Sequence, residues 1–293
     1  MAYDPASLDK PFEILKAFDW GGDASAFPPI DAAVVAAHAD PAARADLEKR
    51  LAALLGAGTS RAAKEYVCRK LSLIGTAASV PSLAALLPEK DDSHMARFAL
   101  ERINAAEATE ALRKALGSLQ GDLKIGMISS LAARGDAASV PAIAALLSGE
   151  SKTAVAAADA LGRIHTPEAC QALAAASTVT DKAAVAAIAD ARLACAESLL
   201  RQGKRAEAKA IYTSLSESVA AGTTPTLSRL LERLDDRVGA AVAAGRAAGL
   251  ALEWQPPTRT IAGRPLNSEA GRKSRFVGYD GSTNVAVEEL VLQ

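Results

Sequence analysis

Aromatic residues make up only 4% of this 293-residue chain: two tryptophans, four tyrosines and five phenylalanines. A core so short of rings has to be built from Ala, Leu, Val and Ile, which favours slender, closely packed helices over broad sheet faces. Charge of one sign is equally scarce. The 33 basic and 34 acidic residues leave a formal net charge of −1, so no global field draws the molecule to nucleic acid or to an anionic membrane. The three cysteines are odd in number, widely spaced and never in a CxxC pair, which argues against a disulfide framework or a zinc site and fits a reducing compartment. No apolar run reaches membrane-spanning length; the nearest, VGAAVAAGRAAGLAL from Val238, is short and interrupted by Arg246. The opening MAYDPASLDKPFEILKAFDW lacks the basic start and apolar centre of an export signal. As written, the chain is expected in the cytoplasm, or in the periplasm or outside the cell if Met1 replaces a removed signal.

What the sequence has is repetition. AASVPSLAALL at Ala77 to Leu87 returns as AASVPAIAALL at Ala137 to Leu147. Superposing the copies sets Leu71 on Leu131 and Gly75 on Gly135, and the same register recurs with Leu100 and Ile103, then with Leu161 and Ile164. The interval of about thirty residues is the length of two short helices and two tight turns. Within a unit, Val80, Leu83, Leu86 and Leu87 fall on one helical face, as do Met95, Phe98, Ala99 and Ile103 on the next. A lone hairpin cannot bury both faces, so neighbouring hairpins must stack, and the predicted fold is all-α, a helical-repeat superhelix.

The prolines inside the repeated stretch allow two arrangements. With Thr76 or Asp136 as cap, Pro81 and Pro141 lie beyond the first turn and kink the helix. With Ser79 or Ser139 as cap, each proline lies within the first turn and costs almost nothing. Thr166 followed by Pro167 is a third start, cap and first helical position together.

VAAADALGRIHTPEACQALAAA resembles the short bacterial HEAT repeat of the phycobilisome-lyase type, and the likeness extends over about Pro41 to Thr178. This chain departs from that pattern at His165, where glycine is usual, and at Ser93 and Ala154, where a basic residue is usual and Lys64 and Lys124 supply one. The resemblance implies an α-α superhelix and a protein-binding scaffold. It also leaves an alternative, a HEAT-like enzyme or accessory subunit of lyase or nucleic-acid-repair type. Further on, ACAESLLRQGKRAEAKAIYTSL resembles one tetratricopeptide repeat through Ala196, Gly203, Ala208 and Tyr212.

The resulting organisation is an N-terminal capping helix and loop over 1–40, HEAT-like repeats over 41–180, a tetratricopeptide-like pair over 181–220, a C-terminal helix over 221–252 and an irregular, poorly ordered tail over 253–293. In the first segment Phe12, Leu15 and Phe18 share a face, and DWGGDASAFPPID reads as a loop. Thr224 and Pro225 start the C-terminal helix, and the Pro- and Gly-rich tail has room for at most a short strand.

Candidate chemistry is thin. His38, His94 and His165 stand beside no second ligand at metal-binding spacing, and no His-Glu pair occurs, so no metal and no cofactor are expected. Cys68, Cys170 and Cys195 fall on apolar positions as small hydrophobes. GAGTS at Gly56 to Ser60 follows a helix rather than a strand and lacks a phosphate-loop ending, so it reads as one helix end and the next cap. GRKSRFVGYD mixes Arg272, Lys273 and Arg275 with Phe276 and Tyr279, but with the balanced overall charge nucleic acid is not the expected partner. The remaining candidate is the row of second helices, with Lys64, Tyr66, Arg69, His94, Arg97, Lys124 and Lys152. Long basic side chains beside a tyrosine suit carboxylates on a partner protein or peptide. The expected function is therefore a non-enzymatic scaffold.

Overall fold

The computed structural model describes residues 4–56, 58–220, 251–255, 275–279 and 284–286; Arg205, residues 216–220 and the last three stretches are described by their backbone alone. Through residue 220 the described elements are helical: α1 Asp9–Ala17, α2 Pro28–Ala36, α3 Pro41–Ala53, α4 Arg61–Ile74, α5 Val80–Ala84, α6 Ser93–Arg102, α7 Ala106–Ser118, α8 Gly121–Ala133, α9 Val140–Ala144, α10 Ser151–Ile164, α11 Pro167–Ala175, α12 Lys182–Arg201 and α13 Arg205–Ala220. The chain divides into two compact units, 1–184 and 185–293.

In the first unit, α3 packs on α4, α5 on α6, α7 on α8 and α9 on α10, so each pair is a helical hairpin. The second members also pack on one another in chain order, α4 on α6, α6 on α8 and α8 on α10, while α3 meets α5, α5 meets α7 and α9 meets α11. The anchor leucines Leu71, Leu100, Leu131 and Leu161 are all fully buried. One leucine per hairpin thus fills the seam between neighbours, with Leu47, Leu83, Leu112 and Ile143 supplying the facing helices. The N-terminal loop expectation needs correction. Pro28 opens α2 from its first turn, and buried Phe27, Ile30 and Val34 hold that helix, so the stretch read as loop ends in a helix.

Local chemistry starts and stops these helices as the side chains require. Asp40 Oδ1 accepts from the amides of Ala42 and Ala43, Ser60 Oγ from Ala63 and Thr166 Oγ1 from Ala169, each satisfying first-turn amides. The repeated AAS stretch follows the second arrangement in position: Ser79 and Ser139 stand where the α-helices begin, and each proline lies in the first turn. Ala77–Ser79 and Ala137–Ser139 are short 3-10 turns, and the α-helices begin afterwards at Val80 and Val140, with each proline in the first turn. The prolines therefore remove no internal helical bond. At these N-cap positions neither serine hydroxyl accepts from a first-turn amide; each turns back and donates to the carbonyl of Thr76 or Asp136, and in the first copy Thr76 Oγ1 accepts from the Ala78 amide.

Aligned glycines Gly75 and Gly135 are present for different reasons. Gly135 has φ +63 and closes α8 in a Schellman arrangement, its amide bonded to Ala132 O and the Asp136 amide to Leu131 O. Gly75 is extended, at φ −60, but an added Cβ would lie 2.5 Å from Leu71 O and 2.8 Å from Ile103 Cδ1. In the fourth hairpin His165 adopts the left-handed conformation, φ 38 and ψ 32, without glycine's freedom.

In the second unit, α12 and α13 pack through Ala196, Leu199 and Ala208, with Ile211 and Tyr212 against them. Gly203, φ +77, closes α12 as its amide bonds Leu200 O and the Lys204 amide bonds Leu199 O. The predicted C-terminal helix lies largely outside the described residues, apart from its end at Ala251 and Leu252, which is strand. The tail also differs from expectation. β1 Ala251–Gln255, β2 Arg275–Tyr279 and β3 Asn284–Ala286 form an antiparallel sheet in the order β1-β2-β3, with Trp254 opposite Phe276 and Gly278 opposite Val285. ALEWQ, RFVGY and NVA contain the aromatic and β-branched residues that suit a pleated ribbon, and the Pro- and Gly-rich stretch between the first two ends them.

Candidate interaction surface

The seven residues expected on the second helices do lie on α4, α6, α8 and α10, but they have different roles. Lys64 Nζ stands 2.7 Å from Asp92 Oδ2, with both side chains largely buried. It joins the second hairpin to the one before it. Tyr66 donates its hydroxyl to Asp31 Oδ1 at 2.6 Å, its ring meets Phe27 and Lys70 lies over it. Burial, reinforced by Asp31, raises the Tyr66 pKa well above its ordinary value, so the phenol stays protonated. Arg97 extends from α6 across α8, where Nη1 donates to Gly126 O and to Ser130 Oγ, both at 3.2 Å. A Cβ at Gly126 would meet Arg97 Cζ at 2.8 Å, which accounts for glycine in the middle of α8. Burial lowers the Arg97 pKa, and nearby Glu101 opposes that shift.

Three of the other four face outward. Arg69 is exposed beside Glu65 one turn earlier. His94 and Lys152 are exposed and Lys124 is half-buried. The structure thus brings Lys64, Tyr66 and Arg97 into the packing, leaves Arg69, His94 and Lys152 exposed on the same row of helices, and half-buries Lys124. Phe98, expected on the apolar face, is 39% exposed. The guanidinium of Arg102 lies 3.7 Å from its ring centroid and shields one side of it.

The strongest polar sites were not among the expected residues. Arg134, at the end of α8, donates to the carbonyls of Leu100 at 2.6 Å, Glu101 at 3.1 Å, Ile103 at 2.9 Å and Ala105 at 3.3 Å, and to Thr109 Oγ1 at 2.7 Å. It caps the C-terminal end of α6 from the neighbouring hairpin, where unpaired carbonyls and the negative end of the helix dipole favour a cation. Arg44, on α3 of the same hairpin, bonds Ile74 O and Gly75 O at the end of α4. The repeat register flags Arg134: it occupies the position of Ile74, Ile103 and Ile164. The two AAS turns are held by opposite arrangements of charge. Buried Glu48 accepts from the Thr76 and Ser79 amides and from the Thr76 hydroxyl, whereas Asp136 carries its own carboxylate and receives Arg113. Arg113 holds the Asp136 carboxyl below its ordinary value against the opposing effect of burial.

His38, His94 and His165 are all exposed, and among the described residues no group of three His, Cys, Asp or Glu side chains could hold a metal ion. Ser60, the last residue of GAGTS, caps α4. Cys170 and Cys195 are disulfide-bonded, which corrects the reading of all three cysteines as unpaired small hydrophobes and removes the cysteine argument for a reducing compartment. Cys68 is the free thiol; burial, with Asp92 nearby, pushes its pKa up to about 12 and keeps it unreactive. Within GRKSRFVGYD, residues 275–279 form β2 and the rest lie outside the described residues. No helix among the described residues is long and apolar enough to cross a membrane.

The first unit is therefore an all-helical body of packed hairpins whose polar side chains tie one hairpin to the next. Compared with known proteins, the chain matches no family model and no curated sequence.

Proposed function

We propose that this chain is a non-enzymatic, HEAT-like α-solenoid scaffold that binds another protein or peptide along the outward face of its second helices. The observation that carries the reading is the row α4, α6, α8 and α10, each helix packed on the next, with Arg69, His94 and Lys152 exposed on it and Lys124 half-buried. An open-ended row of parallel elements supplies extended surface rather than a closed pocket, and such surfaces commonly take peptides and proteins. Lys64, Tyr66 and Arg97 contribute indirectly by fixing the spacing between hairpins.

This division decides the experiment. Reversing Lys64 or Arg97 would break packing and confound any loss of binding, so the informative variant combines Arg69→Glu, Lys124→Glu and Lys152→Glu. Affinity capture from lysate with the wild-type chain is expected to recover a partner that the triple variant loses while keeping its helical circular dichroism. Equal recovery by both would sink the surface assignment.

A further inference from the structure

Two of the large hydrophobic side chains exposed in the described residues lie on neighbouring second helices, Leu73 on α4 at 56% and Phe98 on α6 at 39%. The repeat register places arginines beside them. Arg69 and Phe98 each stand two residues before an anchor leucine, and Leu73 and Arg102 each stand two residues after one. A single exposed apolar residue needs no explanation, but a phenylalanine and a leucine on adjoining helices, interleaved with two guanidinium groups, share the aromatic and arginine enrichment of protein interfaces.

The outward charge of this patch is positive. Arg69 is 67% exposed and its Glu65 partner 20%; Arg102 is 47% exposed and Glu101 23%. The Glu101 carboxylate is committed elsewhere: it accepts from Ser130 Oγ at 2.6 Å, opposes the burial of Arg97 and lies 3.8 Å from Arg102. Arg102 is held over the Phe98 ring by its own bond to Phe98 O at 2.9 Å. Its fork is thus pre-positioned, with little side-chain freedom left to lose on binding. The exposed Arg69–Glu65 pair is of the kind that contributes little and exchanges readily for another carboxylate.

Resting on the reading of the second-helix row as a binding face, we infer that Arg69, Leu73, Phe98 and Arg102 form a docking site for an acidic peptide segment carrying an apolar or aromatic anchor. The anchor covers Leu73 and Phe98, and flanking carboxylates pair with the two guanidinium groups.

The test is a random-peptide phage library panned on the full chain, with selected peptides synthesised and titrated by fluorescence anisotropy. Selected sequences should combine Asp or Glu with Leu, Phe or Trp. Phe98→Ser and Arg102→Glu should each weaken binding by more than about tenfold, the loss expected for a hot-spot side chain. Affinity should also fall with added salt, and Lys114→Glu, at an exposed position on α7 outside that row, should leave it unchanged. Circular dichroism melts verify folding, and Phe98→Leu with Arg102→Gln replace the harsher variants if those unfold. Peptides that bind the patch variants as tightly as wild type, or that carry no acidic residue, overturn this inference. Dependence on Lys124 and Lys152 instead overturns it while leaving the broader binding face intact, and a selection yielding no binder overturns both.

Discussion

Replacing Arg134 by alanine removes a cation that no other residue of its hairpin can substitute. Its guanidinium addresses four carbonyls and one hydroxyl, but Nη1 has only two hydrogens for the three carbonyls of Leu100, Glu101 and Ile103. About four bonds can therefore be of full strength. Charge-assisted bonds contribute about 1.5 to 3 kcal/mol each when buried, and partial solvent access to this half-buried side chain lowers that to about 1 kcal/mol or less. The expected destabilisation is about 3 kcal/mol, measured by urea unfolding followed by far-ultraviolet circular dichroism. Arg134→Lys should recover about half, because an ammonium keeps the charge at the α6 C-terminus but cannot span the same set of acceptors. Arg134→Ile separates capping from packing, since isoleucine or its equivalent occupies this register at Ile74, Ile103 and Ile164. If capping is the role, Arg134→Ile is destabilised nearly as much as Arg134→Ala. A stable Arg134→Ile variant, or an alanine variant within about 0.5 kcal/mol of wild type, the range of ordinary surface changes, would refute the argument.

Gly75→Ala should destabilise by about 2 kcal/mol through overpacking against Ile103 and Leu71 O, and Ile103→Val should recover only the side-chain part in a double-mutant cycle of thermal melts. Gly135→Ala meets no atom within 4 Å and should lose only about 1 kcal/mol, from its left-handed backbone. His165→Gly should raise stability by about 0.5 kcal/mol, the relief of left-handed strain being partly offset by greater freedom of the unfolded chain; a lowered melting temperature would contradict this. Asp136 titrates below its ordinary 3.8 because of Arg113, so its contribution is fully present above that value and disappears as pH falls through the lower folded-state pKa. Arg113→Gln should therefore flatten the acid limb of the stability curve below about pH 4 and leave its shape above pH 6 unchanged.

Much of the helical plan was legible because helices write local rules into a sequence. Asp40 before Pro41, Ser60 before α4 and Thr166 before Pro167 are caps readable within four residues, and the four anchor leucines all proved buried. The missed features depend on longer reach. Helix α2 followed a stretch whose glycines and prolines resembled a loop throughout. The AAS turns took a 3-10 form because their hydroxyls turn back on the chain. The pairing of β1 with β2 joins Gln255 to Arg275 and Ala251 to Tyr279, separations that no local pattern reports.

Of the candidate surface, the sequence identified the helices and the residue types, because a thirty-residue register places equivalent positions on equivalent helices. It could not separate solvent-facing cations from those consumed by packing. Lys64 and Lys124 share a register position, yet Lys64 meets Asp92 across the joint, while the position equivalent to Asp92 in the fourth hairpin is Thr153. Periodicity alone determined that the body is helical and that the four anchor leucines are buried, since both follow from local geometry and hydrophobic burial. Only the tertiary structure decided that Arg134 caps α6, that Gly126 makes room for Arg97 and that Phe98 faces outward under Arg102, because each of these depends on which neighbour the fold brings within a few ångströms.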